Sequence, residues 1–214
     1  MSESKRVPGR RDARENRERI LDTAEVYFAR HGLDAPLQGL TAAAKVGAGT
    51  LYRNFGSHAA IVEALHDRYV ELFDDMAERA LQQETGWKGI ELVLDECIEI
   101  LLDRGIVAEV MRRQAINDPD YRPSERWVGP LATLVERTIA EGSARPDLTA
   151  ADLSAAPMMV GTAQTFAPAH RQWIAARMRA IVLDGLRAHP HEPTPLPEMP
   201  EHFYESGGSI MRRS

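Results

Sequence analysis

Residues 37–55, LQGLTAAAKVGAGTLYRNF, constrain the fold of this chain more than any other stretch. They divide into two short helix-forming segments, residues 37–44 and 48–54, and the break between them falls at residues 45–47. Small side chains at residues 42–44 let two helices cross closely, although alanine also favours any helix. Two brief helices joined by a tight turn form a helix-turn-helix unit, whose second helix lies in the major groove of DNA. The stretch predicts such a unit.

The second segment belongs to a longer and more specific pattern. Residues 47–55 are GAGTLYRNF, residues 56–65 are GSHAAIVEAL, and residues 17–35 are RERILDTAEVYFARHGLDA. In these segments the chain resembles the DNA-binding domain of TetR/AcrR-family transcriptional regulators. The resemblance implies an all-α protein with about nine helices. A three-helix helix-turn-helix DNA-binding domain would come first, followed by a helical ligand-binding and dimerisation domain.

The resemblance also implies which residues meet double-stranded DNA. Thr50 and Tyr52 would contact phosphates, and Arg53 would face bases or phosphate, while Leu51 and Phe55 would pack inward. Hydroxyls and helix N-terminal amides bind phosphate oxygens, and a guanidinium can pair with guanine. The full set of expected DNA contacts is Lys45, Ala48, Gly49, Thr50, Tyr52, Arg53, Asn54 and His58. The alternative for Tyr52 is a packed aromatic ring with its hydroxyl at the surface.

Three positions depart from the family pattern. Lys45 stands where the turn usually has glycine, so a left-handed backbone there would be strained by about 1 kcal/mol. Gly47 stands where a serine or threonine would cap the second helix, and glycine is a slightly weaker cap. His58 replaces a lysine that would meet phosphate, and a neutral imidazole removes one electrostatic contact. The last departure bears on the strength of DNA binding rather than on its existence.

The distribution of charge fits a DNA contact confined to the N-terminal part. The 214 residues carry a formal net charge of −6, which argues against a nonspecific nucleic-acid coat. Residues 1–60 hold 10 lysines and arginines against 7 aspartates and glutamates, whereas the remainder holds 16 against 25. A basic end joined to an acidic body is typical of a protein whose N-terminal part alone touches DNA.

Cysteine content and hydropathy indicate a soluble cytoplasmic protein. Cys97 is the only cysteine, which excludes an intramolecular disulfide framework. No apolar run approaches the roughly 18 residues needed to cross a bilayer. The first residues, with Lys5 and Arg6, lack the apolar segment of a secretion signal.

Composition and periodicity predict four segments. They are a basic tail (1–13), the helix-turn-helix domain (14–56), a helical regulatory and dimerisation domain (57–189) and a Pro-rich tail (190–214). The first tail is either solvated or an arm that reaches DNA, and the last is either mobile or draped on the body. Within the helical domain, Ser57 is expected to cap a long fourth helix, Pro130 to bend or delay the seventh, and Thr149 with Asp152 to cap the eighth.

The last two predicted helices carry narrow seams of small and apolar residues. We expect them to pack against a second copy of the chain as a two-fold four-helix interface, as the resemblance also implies. The expected interface residues are Leu153, Ala156, Val160, Gly161, Ile174, Met178, Ile181 and Val182. The alternative is that these seams only complete the core of one subunit.

Large apolar and soft side chains in the body are candidates for the lining of an effector pocket. Aromatic and methionine side chains between helices suit an apolar or amphipathic small molecule. The candidates are Phe73, Trp87, Cys97, Met111, Trp127, Met158, Met159 and Phe166. Taken singly, each of them is also an ordinary core residue.

No catalytic constellation, metal site or cofactor site stands out in the sequence. The histidines share no metal-ligand spacing with the cysteine or with a carboxylate cluster. The interpretation that the residues favour is a homodimeric repressor, released from a palindromic operator by a small molecule. One alternative is a helical ligand-sequestering or protein-interaction module with weakened DNA binding, supported by Lys45, Gly47 and His58. A helical enzyme is a further alternative, against which the lack of a catalytic pair counts.

Overall fold

A computed structural model of the chain describes residues 10–118, 121, 123–189 and 196. These residues form nine α-helices, a short 3-10 helix and one isolated antiparallel bridge. The helices are α1 (Arg10–His31), α2 (Leu37–Ala44), α3 (Ala48–Phe55), α4 (His58–Leu81), α5 (Gly86–Asp103), α6 (Val107–Asn117), α7 (Pro123–Ala140), α8 (Ala150–Gly161) and α9 (Pro168–Leu186), with the 3-10 helix at Thr162–Thr165. The predicted all-α fold is confirmed. No helix among the described residues has the length and the apolar character needed to cross a membrane.

The observed helix ends differ from the predicted ones at a few places. Helix α1 begins at Arg10, so the end of the predicted basic tail is helical. Pro130 lies inside α7, which begins at Pro123, so the proline does not delay the helix. Residues 1–9 of the first tail, and all of the second tail except Leu196, lie outside the described residues. Leu196 donates its backbone N–H to Asp147 Oδ2 at 3.0 Å.

The chain divides into two compact units, Met1–Arg68 (unit 1) and Tyr69–Ser214 (unit 2), and α4 continues through the division. We predicted a boundary after residue 56, before α4, so the observed division lies further along the chain. The first turns of α4 belong to unit 1 because Ile61 and Leu65 are fully buried there. In addition, Arg68 Nη2 lies 2.6 Å from Glu18 Oε2 of α1.

The core of unit 1 comes from apolar residues at helical spacing on its short helices. Helix α1 buries Ile20, Leu21, Ala24 and Phe28, and the residues that complete the core include Leu40, Ala44, Leu51, Phe55, Ile61 and Leu65. Gly32 follows the end of α1 with a φ of 82°, and Leu33 is buried in the core. Burial of these side chains is the main stabilising term for so small a unit.

Helix α5 is the centre of unit 2, and α7, α8 and α9 pack around it. The shared core contains Ile90, Leu94, Ile98, Leu131, Leu134, Val135, Leu153, Ala156 and Val160. Gly89 allows a close approach, since a Cβ there would lie 2.6 Å from the carbonyl oxygen of Ala80. Any larger residue would push α5 away from the end of α4.

The predicted helix caps are present. Ser57 Oγ accepts a hydrogen bond from the Ala60 N–H at 3.1 Å. At the start of α8, Asp152 Oδ2 accepts from the Thr149 N–H at 2.9 Å, and Thr149 Oγ1 accepts from the Asp152 N–H at 3.3 Å. This capping box satisfies two backbone donors that the first turn of a helix leaves unpaired.

Candidate functional site

The turn between α2 and α3 is built on a strained lysine. Lys45 caps α2 with φ 53° and ψ 44°, the left-handed region, and its N–H donates to Ala42 O at 3.2 Å. The next residue continues the turn, since the Val46 N–H donates to Thr41 O at 3.1 Å. Lys45 thus has the left-handed backbone for which strain is expected, and the tight turn joins α2 to α3 at residues 45–47.

Gly47 is the N-cap of helix α3, which begins at Ala48. Its backbone lies in the β region, and no side chain caps the helix by a hydrogen bond. Gly47, Ala48 and Gly49 are all exposed. Because the first amides of a helix lack partners within the helix, the N-terminal turn of α3 offers N–H groups to an outside acceptor. Because residues 47–49 are glycine or alanine, no bulky side chain blocks access to these N–H groups.

The eight residues of α3 separate into an inner and an outer side. Leu51 is 1% exposed and Phe55 is 8% exposed, so both pack inward as expected. Tyr52 is 53% exposed, and Arg53 and Ala48 are also exposed. The outer face of α3, which we define as Ala48, Gly49, Tyr52 and Arg53, therefore combines a cation, a phenol and accessible backbone. Such a surface can contact phosphates and base edges.

Two of the expected contact residues are engaged within α3 itself. Arg53 Nη2 donates to Thr50 Oγ1 at 3.0 Å, so the hydroxyl that we expected at a phosphate accepts from a guanidinium instead. Asn54 Nδ2 donates to Thr50 O at 2.8 Å, and its side chain is half-buried. The sequence indicates these two bonds only through their spacing. Residues three or four positions apart lie on neighbouring turns of a helix, where they can contact each other.

His58 does not present its imidazole as the family lysine would. Its ring packs edge-on against Phe28 with centroids 5.3 Å apart. His58 Nε2 is buried and has no hydrogen-bond partner among the described residues. The expectation that His58 faces DNA is therefore wrong for its Nε2 atom. The ring packs against Phe28 of α1, and this packing turns Nε2 inward.

Two arginines of α1 support the helix-turn-helix from behind, and sequence reasoning missed both. Arg19 Nη1 donates to Ala44 O, the last residue of α2, at 2.7 Å. The Arg17 guanidinium lies 4.4 Å from the centroid of the Phe55 ring. A cation at a helix C-terminus and a cation over an aromatic face are both favourable. Each contact joins residues distant in sequence, so no local pattern predicts it.

Comparisons with known proteins agree with this geometry. Residues 20–65 match the family model for bacterial regulatory proteins of the tetR family. A TetR transcriptional regulator from Streptomyces coelicolor is 28% identical, with a TM-score of 0.62 over 80% of this chain and 98% of that one. Residues 20–65 thus belong to a TetR-family regulatory domain, and the chain as a whole is similar to TetR-family transcriptional regulators.

More distant TetR-fold structures cover the chain to a similar extent. A TetR transcription regulatory protein from Mycobacterium vanbaalenii is 24% identical and covers 84% of this chain and 99% of its own, with a TM-score of 0.60. A ketosteroid transcriptional regulator of Mycobacterium tuberculosis is 17% identical and covers 86% and 98%, with a TM-score of 0.63. At these identities the likeness shows the shared fold. Among curated protein sequences, none matches the chain.

Some of the predicted pocket residues lie together in unit 2. The rings of Phe73 and Trp127 meet edge to face with centroids 5.4 Å apart, and both residues are half-buried. Trp127 Nε1 donates to Asp74 Oδ1 at 2.9 Å. The Arg126 guanidinium, which also binds this carboxylate, holds the pKa of Asp74 below its usual value. This aromatic pair connects α4 to α7.

The other predicted pocket residues are placed elsewhere. Cys97 Sγ lies 3.5 Å from Met76 Sδ, and burial raises the pKa of the Cys97 thiol to about 12. Trp87 is a core residue whose ring lies under the Arg187 guanidinium, Met111 is buried on α6, and Met158 is half-buried on α8. Met159 is 59% exposed and Phe166 is 51% exposed. Both were expected to line a pocket, but they lie on the outer surface.

A groove of about 470 Å³, lined by both charged and apolar side chains, lies between α5 and α9 and contains none of the predicted pocket residues. Its lining includes Asp95, Glu99, Asp103, Arg171, Gln172 and Arg179. Arg179 Nη2 donates to Asp95 Oδ2 at 2.7 Å across the groove. No three His, Cys, Asp or Glu side chains in the described part of the chain are arranged to hold a metal ion.

The predicted interface residues separate between core and surface. On α8, Leu153, Ala156, Val160 and Gly161 are buried in unit 2, because α8 packs its seam against α5. A Cβ at Gly161, for example, would lie 2.9 Å from Leu101 Cδ1. These four residues are corrected from interface to core.

Helix α9 has an outer face that the described residues of unit 2 leave exposed. Ile174 and Val182 pack against the core, whereas Ile181 is 59% exposed and Met178 is 39% exposed. Trp173, absent from the predicted interface, is 63% exposed. By helical spacing, Ile181 lies between Trp173 and Met178, which are about 140° apart around the helix axis, and we call these three exposed residues the α9 apolar face.

Proposed function

We propose that this TetR-family regulator acts as a homodimeric repressor that binds a palindromic operator and is released by a small apolar or amphipathic ligand. It would work in the cytoplasm, where bacterial DNA lies. The observation that carries the proposal is the outer face of α3, where Tyr52 and Arg53 are displayed beside an unobstructed helix N-terminus. This is the position at which a helix-turn-helix protein meets base edges.

The α9 apolar face supports the homodimer. A tryptophan and an isoleucine that are each more than half exposed on one helix offer apolar surface to a partner, and the Arg177 guanidinium lies 5.2 Å from the centroid of the Trp173 ring. A self-complementary contact through Trp173, Met178 and Ile181 would have two-fold symmetry, with Met159 and Phe166 on the adjoining segment as further candidates.

Two-fold symmetry leads to the palindromic operator. Each subunit would place one α3 in the major groove, so the two half-sites would repeat with the protein symmetry and be separated by about one helical turn. Lys45, Ala48, Gly49, Tyr52 and Arg53 are the proposed contacts.

The ligand site that we propose lies near the Phe73–Trp127 pair. The two rings are half-buried and offer apolar surface, while Asp74 and Arg126 supply polar groups at its edge. A ligand that binds better to a state with low operator affinity shifts the population toward that state, and a coupling of about 1–3 kcal/mol is sufficient.

Binding of the full-length protein to DNA tests the main claim. We would select duplexes from a random library with wild-type protein and measure their affinity by fluorescence anisotropy at several salt concentrations. A two-fold symmetric sequence and a dimeric mass by light scattering are expected. Failure to enrich any sequence would contradict operator binding.

A second candidate function is ligand sequestration without DNA binding. The inward-facing His58 favours it, since one electrostatic contact to phosphate is missing. Native mass spectrometry of protein purified from cells, combined with the selection, separates the two functions. A retained ligand together with no enriched duplex would favour sequestration.

A further inference from the structure

The guanidinium on the outer face of α3 is positioned by contacts within the chain. Arg53 Nη2 donates to Thr50 Oγ1 at 3.0 Å, and Arg53 Nη1 lies 3.7 Å from the place that a Cβ of Gly49 would occupy. Side chains on a helix lean toward its N-terminus. The guanidinium of Arg53 therefore lies beside the first turn of α3, although its Cα lies in the second half of the helix.

That location matters because the N-terminal residues of a recognition helix are the ones that contact base edges. Ala48 and Gly49 carry almost no side chain there, and both are exposed. The backbone of α3 can consequently approach the floor of the major groove closely. Within α3, Arg53 is the single cationic residue, so it supplies the long polar group at this turn.

We propose that Arg53 recognises a guanine in each operator half-site, and that Thr50 is the positioning residue that orients the guanidinium. The inference deepens the proposed operator binding and rests on it. A guanidinium has five N–H donors, so a bond to Thr50 leaves enough donors for both O6 and N7 of guanine. The Thr50 hydroxyl reduces the freedom that the long arginine side chain loses on binding.

The guanine contact has a specific test on the operator selected by wild-type protein. Each guanine in a half-site is replaced in turn by adenine, with its paired base changed, or by 7-deazaguanine, which lacks the N7 acceptor. Wild-type protein should lose about tenfold to a hundredfold in affinity at one guanine. Arg53→Ala should bind the original and altered duplexes equally, so that the discrimination disappears.

Thr50 variants test the positioning role. Thr50→Val removes the hydroxyl and should reduce discrimination at the same guanine, whereas Thr50→Ser keeps the hydroxyl and should restore it. Lys88→Ala, which removes an exposed cation from α5 in unit 2, is the control for loss of charge and should keep full discrimination. Circular dichroism confirms that each variant is folded.

The possible failures are distinguishable. If no duplex is enriched, operator binding is wrong and this inference falls with it. If an operator is found but Arg53→Ala weakens binding to every duplex alike and lowers the salt slope by about 1, Arg53 contacts phosphate and only this inference is wrong. Unchanged discrimination in Thr50→Val would remove the positioning role.

Discussion

Replacing Lys45 with glycine should stabilise the folded chain while weakening its contact with DNA. Lys45 has a φ of 53° and is the sole non-glycine residue with positive φ in the described part of the chain. A side chain in this region costs roughly 1–2 kcal/mol, which glycine avoids. Glycine also enlarges the unfolded ensemble, an opposing effect of about 0.4–1 kcal/mol. The expected net gain in the free energy of unfolding is therefore about 0.5–1 kcal/mol.

Lys45→Ala is the matched control for this prediction. It removes the same charge but keeps a Cβ in the left-handed region, so it should lack the gain in stability. Urea titrations of the three proteins measure the free energy of unfolding. Both variants should bind the operator more weakly and reduce the slope of log affinity against log salt by about 0.9, since each loses one exposed ammonium group.

Two results would refute this reasoning separately. A glycine variant no more stable than the alanine variant would mean that the turn at Lys45 stores no strain. An unchanged salt slope in both variants would mean that the Lys45 ammonium group does not approach a phosphate. Because the two measurements are independent, the structural claim and the functional claim can fail one at a time.

Three further predictions concern unit 2. Ile181→Asp should convert the dimer to a monomer in light scattering, because a charge would enter the α9 apolar face, and a dimeric mass would contradict that interface. Since burial raises the pKa of the Cys97 thiol to about 12, a thiol reagent at pH 8 should react far more slowly with folded protein than with protein in guanidinium; equal rates would oppose it. Arg126 lowers the pKa of Asp74, so this pair stabilises the fold above the unfolded pKa of about 3.9 and loses its effect as pH falls through the folded pKa. Asp74→Asn should thus destabilise the chain by about 1 kcal/mol or less at pH 7, and denaturant titrations at decreasing pH should show this effect shrinking as Asp74 becomes protonated.

Local chemistry explains why the sequence predicts several helix ends. The break at residues 45–47 and the Thr149–Asp152 cap each act through bonds to residues a few positions away, and both are present as expected. The positive φ at Lys45 follows from the same local reasoning. The spacing of Leu51 and Phe55 likewise identifies the inner side of α3, because a helix repeats every 3.6 residues.

Contacts between distant residues could not be predicted in this way. The inward orientation of the His58 ring depends on Phe28 of α1, and the position of the Arg17 guanidinium depends on the Phe55 ring of α3. A single sequence offers no means of pairing such residues. For the same reason, the division between the two units lies inside α4, where burial and the Arg68–Glu18 pair include the first turns of the helix in unit 1.

The α8 and α9 seams show how the same limit bears on function. Both seams are apolar stripes at helical spacing. Such a stripe predicts that it is buried, but it does not indicate whether the same subunit or a partner buries it. The α8 stripe is covered by α5, so Leu153 and Val160 are core. The α9 stripe is covered only in part, through Ile174 and Val182, while Trp173 and Ile181 on its outer side stay exposed. We propose that two-fold pairing through this exposed surface supplies the second α3 that the proposed palindromic operator requires.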